Sequence, residues 1–257
     1  MPEDHNDPKP SWGPGAAILV SIGAFFGAQF LAGVILAFWP SLLGFDAAST
    51  DKWFQDGGVV PQFVTVFVFE AFVLLLLALF LKNRGAKGRE LGLVKPVFRD
   101  IFRTLAGYVI YFCIFYILST ALEYAVPRVN LEQSQEIGYS TTTSGRALVL
   151  VFISLVILPP FVEEVLFRGF LFGGLRKKWA FLPSALLTSL LFAVAHLWGG
   201  ESDAMIWVAA IDTFVLSMIL VYLREKYKTL WPSIFVHMLK NTMAFLVLFI
   251  FKDVLTK

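Results

Sequence analysis

Two carboxylates and an arginine, Glu163, Glu164 and Arg168, lie close together in a stretch that is otherwise apolar from Ala147 to Leu175. An ionisable side chain at membrane depth is costly, so it persists where it faces a protein interior or a polar cavity and has work there. On a helix, Glu164 and Arg168 are four residues apart and share a face, which predicts an ion pair. Glu163 lies about 100° further round and stays outside that pair. One held carboxylate beside one available carboxylate suits general-base chemistry on water. Taken by itself, this stretch also fits an ion pair that only fixes helix packing. Two of the three histidines, His196 and His237, sit in apolar segments, whereas His5 lies in a polar N-terminal tail. Asn241 follows His237 by one helical turn, and Phe192 precedes His196 by one, so each shares the face of its histidine.

Those side chains need membrane helices to carry them. Hydrophobic residues make up 58% of the 257 residues and charged residues only 16%, against about 25% charged in soluble domains. The chain reads as all-α, a polytopic membrane helix bundle with about seven transmembrane helices. The spans are expected at 15–39, 60–81, 101–124, 146–175, 181–197, 204–223 and 230–251. Residues 1–14 form a polar cytoplasmic tail, expected to be retained because it lacks the basic start of a signal peptide. Residues 15–124 hold the first three helices, with a basic stretch, 82–103, expected as a short amphipathic helix on the lipid headgroups. Residues 146–251 form the core with the reactive groups. Pro159 and Pro160 predict a kink in the fourth helix. With 82–103 placed in the cytoplasm, 14 of the 21 lysines and arginines fall on that side, which puts the N-terminus inside and the C-terminus outside. A net charge of +2 argues against a nucleic-acid partner, and a single cysteine, Cys113, excludes an internal disulfide.

Helical rise brings the reactive groups to one level. Glu163 precedes the turn near Trp179 by about as many residues as His196 follows it, so both stand about 25 Å from that turn. His237 stands about 15 Å from the turn near Tyr227. The levels agree if the lysine-rich 176–178 turn extends about 10 Å into the cytosol. Asp212 and Lys240 flank the turn near Tyr227 almost symmetrically, so they are expected to pair across adjacent antiparallel helices. Lys240 turned toward the reactive groups, or snorkelling to the surface, are the other options.

Glu-Glu-x-x-x-Arg at 163–168, Phe-x-x-x-His at 192–196 and His-x-x-x-Asn at 237–241 occur in that order on three membrane helices, with Glu90-Leu91-Gly92-Leu93 ahead of the third span. Together they resemble the CPBP family of CAAX prenyl endopeptidases and bacteriocin-processing or bacteriocin-immunity membrane proteins, over about 146–249. The resemblance implies an intramembrane endopeptidase whose partners are the lipid bilayer and a membrane-associated protein or peptide substrate. It places Glu163 and His196 on the attacking water and His237 and Asn241 near the tetrahedral oxyanion, with Glu164, Arg168 and Phe192 in support. The family is often described as metalloproteases, and Glu163, His196 and His237 would match the ligand count of a catalytic zinc. The lack of His-Glu-x-x-His, and an asparagine beside His237, favour metal-free glutamate catalysis with no cofactor. Short loops suggest a prokaryotic inner membrane. Two other readings stay open. A proton-coupled transporter could use Glu70, Asp212, Lys240 and the Glu163–Glu164 pair as a relay, although no inverted repeat is visible. A catalytically silent scaffold or immunity protein is the other, against which the intact set of four residues counts.

Overall fold

A computed structural model describes residues 12–56, 58–125, 139–140, 145–197 and 206–252. The polar tail up to residue 11 with His5, most of the 127–145 loop, and the stretch at 198–205 lie outside the described residues. The helices are α1 (Pro14–Leu42), α2 (Ala47–Asp56), α3 (Val59–Asn83), α4 (Gly88–Leu91) and α5 (Arg99–Ala125). They are followed by α6 (Ala147–Leu175), α7 (Phe181–Val194), α8 (Trp207–Tyr227) and α9 (Trp231–Ile250). No strand occurs among the described residues. Six helices, α1, α3, α5, α6, α8 and α9, are long and apolar enough to cross a membrane, and α7 is a shorter apolar helix. The protein is a multi-pass helical membrane protein. The expected fifth span, at 181–197, is the short one: its 14-residue helix rises about 21 Å, less than the roughly 30 Å hydrocarbon core.

The sequence of α1 explains how it packs. Ala17, Ser21, Ala24, Ala28 and Ala32 are buried, while Leu19, Phe26, Phe30 and Phe38 are exposed. Small residues every three or four positions let helix backbones approach closely, and large apolar ones face lipid on the other side. The small stripe packs against α3 and the second half of α6. The chain entering α1 is pinned there: the Trp12 indole N–H donates to the Phe170 carbonyl at 3.0 Å, and the rings of Trp12 and Phe170 stack at 5.1 Å.

In α6 the helix continues through Pro159 and Pro160 from Ala147 to Leu175. Two wider, π-helical stretches, Ile153–Ile157 and Glu164–Phe172, accommodate it. A proline removes an N–H and crowds the preceding turn, so a local change from the i→i+4 to the i→i+5 register takes up the missing bonds.

Within the basic 82–103 stretch, between the end of α3 and the start of α5, lies one short helical turn, α4, whose Leu91 docks inward. Leu91 is buried, the Leu230 N–H donates to the Gly92 carbonyl at 3.0 Å, and the Trp231 indole N–H donates to the Val94 carbonyl. Gly92 takes φ +88, and a Cβ there would come within 2.7 Å of the Arg224 guanidinium carbon. On the opposite side, a Cβ on Gly169 would meet the Leu91 carbonyl oxygen at 3.1 Å. The segment is thus held by backbone hydrogen bonds and glycine-only contacts, which headgroup attraction alone does not require. Gly92→Ala is expected to lower stability by about 1–3 kcal/mol. Gly23→Ala, in open space on α1, is expected to cost nothing or stabilise slightly, since alanine is the better helix former. Thermal unfolding of both variants in detergent micelles checks the contrast.

Candidate active site

The centre of the site is a buried ion pair on α6. Arg168 Nη1–H donates to Glu164 Oε1 at 2.8 Å, and both side chains are fully buried. The Phe192 ring, from α7, lies 4.2 Å from the Arg168 guanidinium carbon. An aromatic face stabilises a desolvated cation that hydrogen bonds alone leave under-satisfied. Phe192 also touches both histidines, with ring centroids 4.7 Å from His196 and 5.8 Å from His237. It is the hub around which the guanidinium and the two imidazoles gather.

His237, on α9, joins the pair directly. Its Nδ1 lies 3.0 Å from Glu164 Oε1. A carboxylate oxygen already facing an arginine accepts, so Nδ1 is the protonated nitrogen. That fixes the ring and turns Nε2 toward Glu163, whose Oε2 is 3.7 Å away. His196 is held in the same sense: its Nδ1 donates to the Phe192 carbonyl at 2.8 Å, leaving Nε2 free to accept. Glu163 is 23% exposed whereas Glu164 is 0% exposed. Adjacent residues thus face in different directions, as the helical offset predicts, and Glu163 is the carboxylate that reaches space.

That space is a cavity of about 300 Å³ lined by Glu163, His196, His237 and Asn241, with Asp212 and Lys240 on the wall contributed by α8 and α9. The structure therefore brings the four residues singled out in the sequence to one cavity, and places Glu164, Arg168 and Phe192 behind it. Asp212 and Lys240 pair at 2.9 Å, and the lysine also lines the cavity.

Three contacts were not visible in the sequence. The first is the His237–Glu164 bond, which makes Glu164 a partner of both an arginine and a histidine. The second concerns Asn241. Its Nδ2 donates to the Leu155 carbonyl at 2.8 Å. In an α register that carbonyl would await the N–H of residue 159, and in a π register that of residue 160, and both are prolines. Asn241 supplies the donor that the Pro-Pro pair removes. One of its two amide hydrogens is therefore committed to structure, a constraint on the oxyanion role expected for it. The third is Tyr111 of α5, whose hydroxyl donates to Asp212. A tyrosine within a long apolar helix is a weak signal of this kind, since a buried hydroxyl seeks a partner. Among the described residues no group of three His, Cys, Asp or Glu side chains is placed to hold a metal ion.

Residues 145–243 match the family model described as type II CAAX prenyl endopeptidase Rce1-like. A Bacillus subtilis protein named "Putative membrane peptidase YdiL" is 30% identical over 97 residues, covering 38% of this chain and 36% of that protein. An Escherichia coli protein named "Uncharacterized 24.3 kDa protein" is 30% identical over 101 residues, 38% of this chain and 44% of that protein. The chain thus spans less than half the length of these curated relatives. No solved structure matches. The family resemblance read from the three motifs is borne out over the matched segment, which contains Glu163, Glu164, Arg168, His196, His237 and Asn241.

Removing one member of a buried pair strands the other charge. Arg168→Ala is expected to lower stability by about 3–5 kcal/mol. Asn241→Leu, which leaves the Leu155 carbonyl without a donor, is expected to cost about 1–3 kcal/mol. Unfolding midpoints of the two purified variants, together with their levels in membranes, test both figures.

Proposed function

We propose that the matched segment, extended to residues 146–251, is the catalytic core of an intramembrane endopeptidase that cuts a membrane-associated protein or peptide, and that α1, α3 and α5 form its scaffold. The observation that carries this reading is the shared cavity: an available carboxylate, Glu163, beside two histidines whose Nε2 atoms are free, His237 Nε2 being 3.7 Å from Glu163. Peptide hydrolysis needs a water, a base, a proton carrier and donors for the tetrahedral oxyanion. Glu163 takes the water proton as hydroxide attacks the carbonyl. The amide nitrogen must gain a proton to leave, and Glu163 delivers the one it took from the water. His237, once protonated on Nε2, and the second amide hydrogen of Asn241 face the oxyanion. Glu164 and Arg168 do not touch substrate. They fix the orientation of His237, and through Phe192 that of His196. The proposed chemistry is assigned to these side chains.

Orientation follows from charge. The basic segments at 82–103, 176–178 and 224–228 belong on the cytoplasmic face, with the N-terminus, by the positive-inside rule. The setting that fits is a prokaryotic inner membrane.

Glu163→Gln keeps the shape of the side chain and removes the base. It is expected to reduce hydrolysis by at least about 10²-fold, within the range that general-base removal costs, with the unfolding midpoint unchanged. The measurement is a comparison of membrane proteomes from cells carrying the wild type and the variant. Membrane proteins that are trimmed in the first and accumulate intact in the second are the substrates. Identical proteomes, with the two proteins at equal levels, would sink the peptidase reading.

A further inference from the structure

The four residues assigned to hydrolysis leave the tetrahedral intermediate short of donors. An oxyanion is held by preorganised N–H or O–H groups aimed at the position where its charge develops. One amide hydrogen of Asn241 is already given to the Leu155 carbonyl, so one remains. His237 spends its Nδ1 proton on Glu164, and its Nε2 donates only after gaining a second proton. The Nε2 of His196 is an acceptor, as is the Glu163 carboxylate. Before attack, the set therefore offers a single uncommitted N–H.

Lys240 lines the same cavity and is the only lysine or arginine to do so among the described residues. His237, Lys240, Asn241, Ala244 and Leu248 all line it, and successive spacings of one, three or four residues make them one stripe of α9. The ammonium thus stands on the face that presents the histidine and the asparagine, and its charge reaches both Glu163 and His196. A lysine on a membrane helix that needed only solvation would extend to the headgroups. This one is tethered: its Nζ meets Asp212 Oδ2 at 2.9 Å, and the Tyr111 hydroxyl donates to the other Asp212 oxygen. Three helices, α5, α8 and α9, station one cation at the cavity. An ammonium has three N–H groups, and Asp212 is the only acceptor this one meets among the described residues. The other two are uncommitted.

We propose that Lys240 is a further catalytic residue, an oxyanion donor held in place by Asp212 and Tyr111. The proposal rests on the peptidase reading and adds a group that the reaction uses. As the oxygen of the attacking water bonds to the carbonyl carbon, Glu163 takes the water proton and the carbonyl π pair moves onto oxygen. Lys240 donates a hydrogen bond to that oxygen and keeps its proton. When the C–N bond breaks, its electron pair leaves with nitrogen, which takes the proton from Glu163, and the oxyanion pair re-forms the carbonyl. Asp212 and Tyr111 touch no substrate and are positioning residues. Tyr111 lies on α5, outside the matched segment 145–243.

The test uses binding, so it does not depend on turnover. Two probes are made from acetyl-trileucine amide by replacing the bond between the first and second leucines. One carries a phosphinate, a tetrahedral anion, and the other a ketomethylene, a planar carbonyl that is not cleaved. Each is titrated into the protein in lipid nanodiscs, and wild type is expected to favour the phosphinate. Lys240→Met should lower that preference about tenfold, the scale of a charge-assisted hydrogen bond, with ketomethylene affinity unchanged. Lys240→Arg should restore it. Tyr111→Phe should lower it about threefold, again without changing ketomethylene affinity. Adding Asp212→Asn to Lys240→Met removes the charge left unpaired, so the preference can be read even if the single change unfolds the protein. A preference unchanged without Lys240, or an equal loss for both probes, overturns the proposal. A third probe, the ketomethylene with glutamate as its last residue, puts a carboxylate away from the reacting centre. If its binding depends on Lys240 as much as that of the phosphinate, the oxyanion assignment is overturned. An unchanged preference in Tyr111→Phe overturns the positioning role of the tyrosine. Failure of the peptidase reading shows separately, as identical membrane proteomes for wild type and Glu163→Gln.

Discussion

The buried Glu164–Arg168 pair is the constraint on which the bundle's interior depends. Two full charges with no exposure cannot be sustained by each other alone, because desolvation of two ions often exceeds their attraction. Here the pair is supplemented from two other helices. Phe192 offers its ring face to the guanidinium, and His237 donates to the same carboxylate oxygen that Arg168 uses. Each addition stabilises the charges and also locks a helix in register: α7 through Phe192 and α9 through His237. Packing in a bilayer lacks the hydrophobic drive between helices that water provides. A desolvated polar cluster shared by three helices supplies part of the missing specificity.

The second constraint is backbone hydrogen bonding. In lipid, every backbone polar group needs an internal partner, and a Pro-Pro pair in mid-helix removes two donors. The π-helical turns of α6 and the side chain of Asn241 restore that balance together. The same asparagine stands one helical turn from His237, so the repair of α6 and the orientation of the imidazole are both set by the position of α9. A shift of α9 along its axis would break the Asn241–Leu155 and His237–Glu164 bonds at once. This ties the site to the fold more closely than the four cavity residues show by themselves.

Local and periodic features were legible in the sequence. The i,i+4 spacing gave the Glu164–Arg168 pair, and the offset of Glu163 gave its exposure to the cavity. Counting residues from two turns gave the common depth of Glu163, His196 and His237, and the Asp212–Lys240 pair. The contacts that escaped depend on what a periodicity of 3.6 does not contain. The π register changes which residues of α6 face α9, so the reach of His237 to Glu164 has no counterpart in residue spacing. Asn241's partner is a backbone carbonyl 86 residues away, and a carbonyl has no residue type to recognise. The docking of the basic 82–103 stretch was hidden for a similar reason. Its lysines and arginines suggested headgroups, while its docking is carried by the backbone of Gly92 and the absence of a Cβ on Gly169.

Adjacent glutamates with opposite exposure divide the work of the site. Glu164 lies in the buried cluster, paired with Arg168 and hydrogen-bonded by His237. Glu163 lines the cavity and is the base of the proposed reaction. Had one carboxylate served both purposes, each proton it took up would have weakened the attraction that holds α7 and α9 in place. With two, the carboxylate that holds the helices is separate from the one assigned to the proposed proton transfer. His237 is the joint between them, with Nδ1 on the constant carboxylate and Nε2 near the variable one. Its Nδ1–H bond keeps the ring oriented whichever state Nε2 is in, so proton movement in the cavity does not disturb the helices around it.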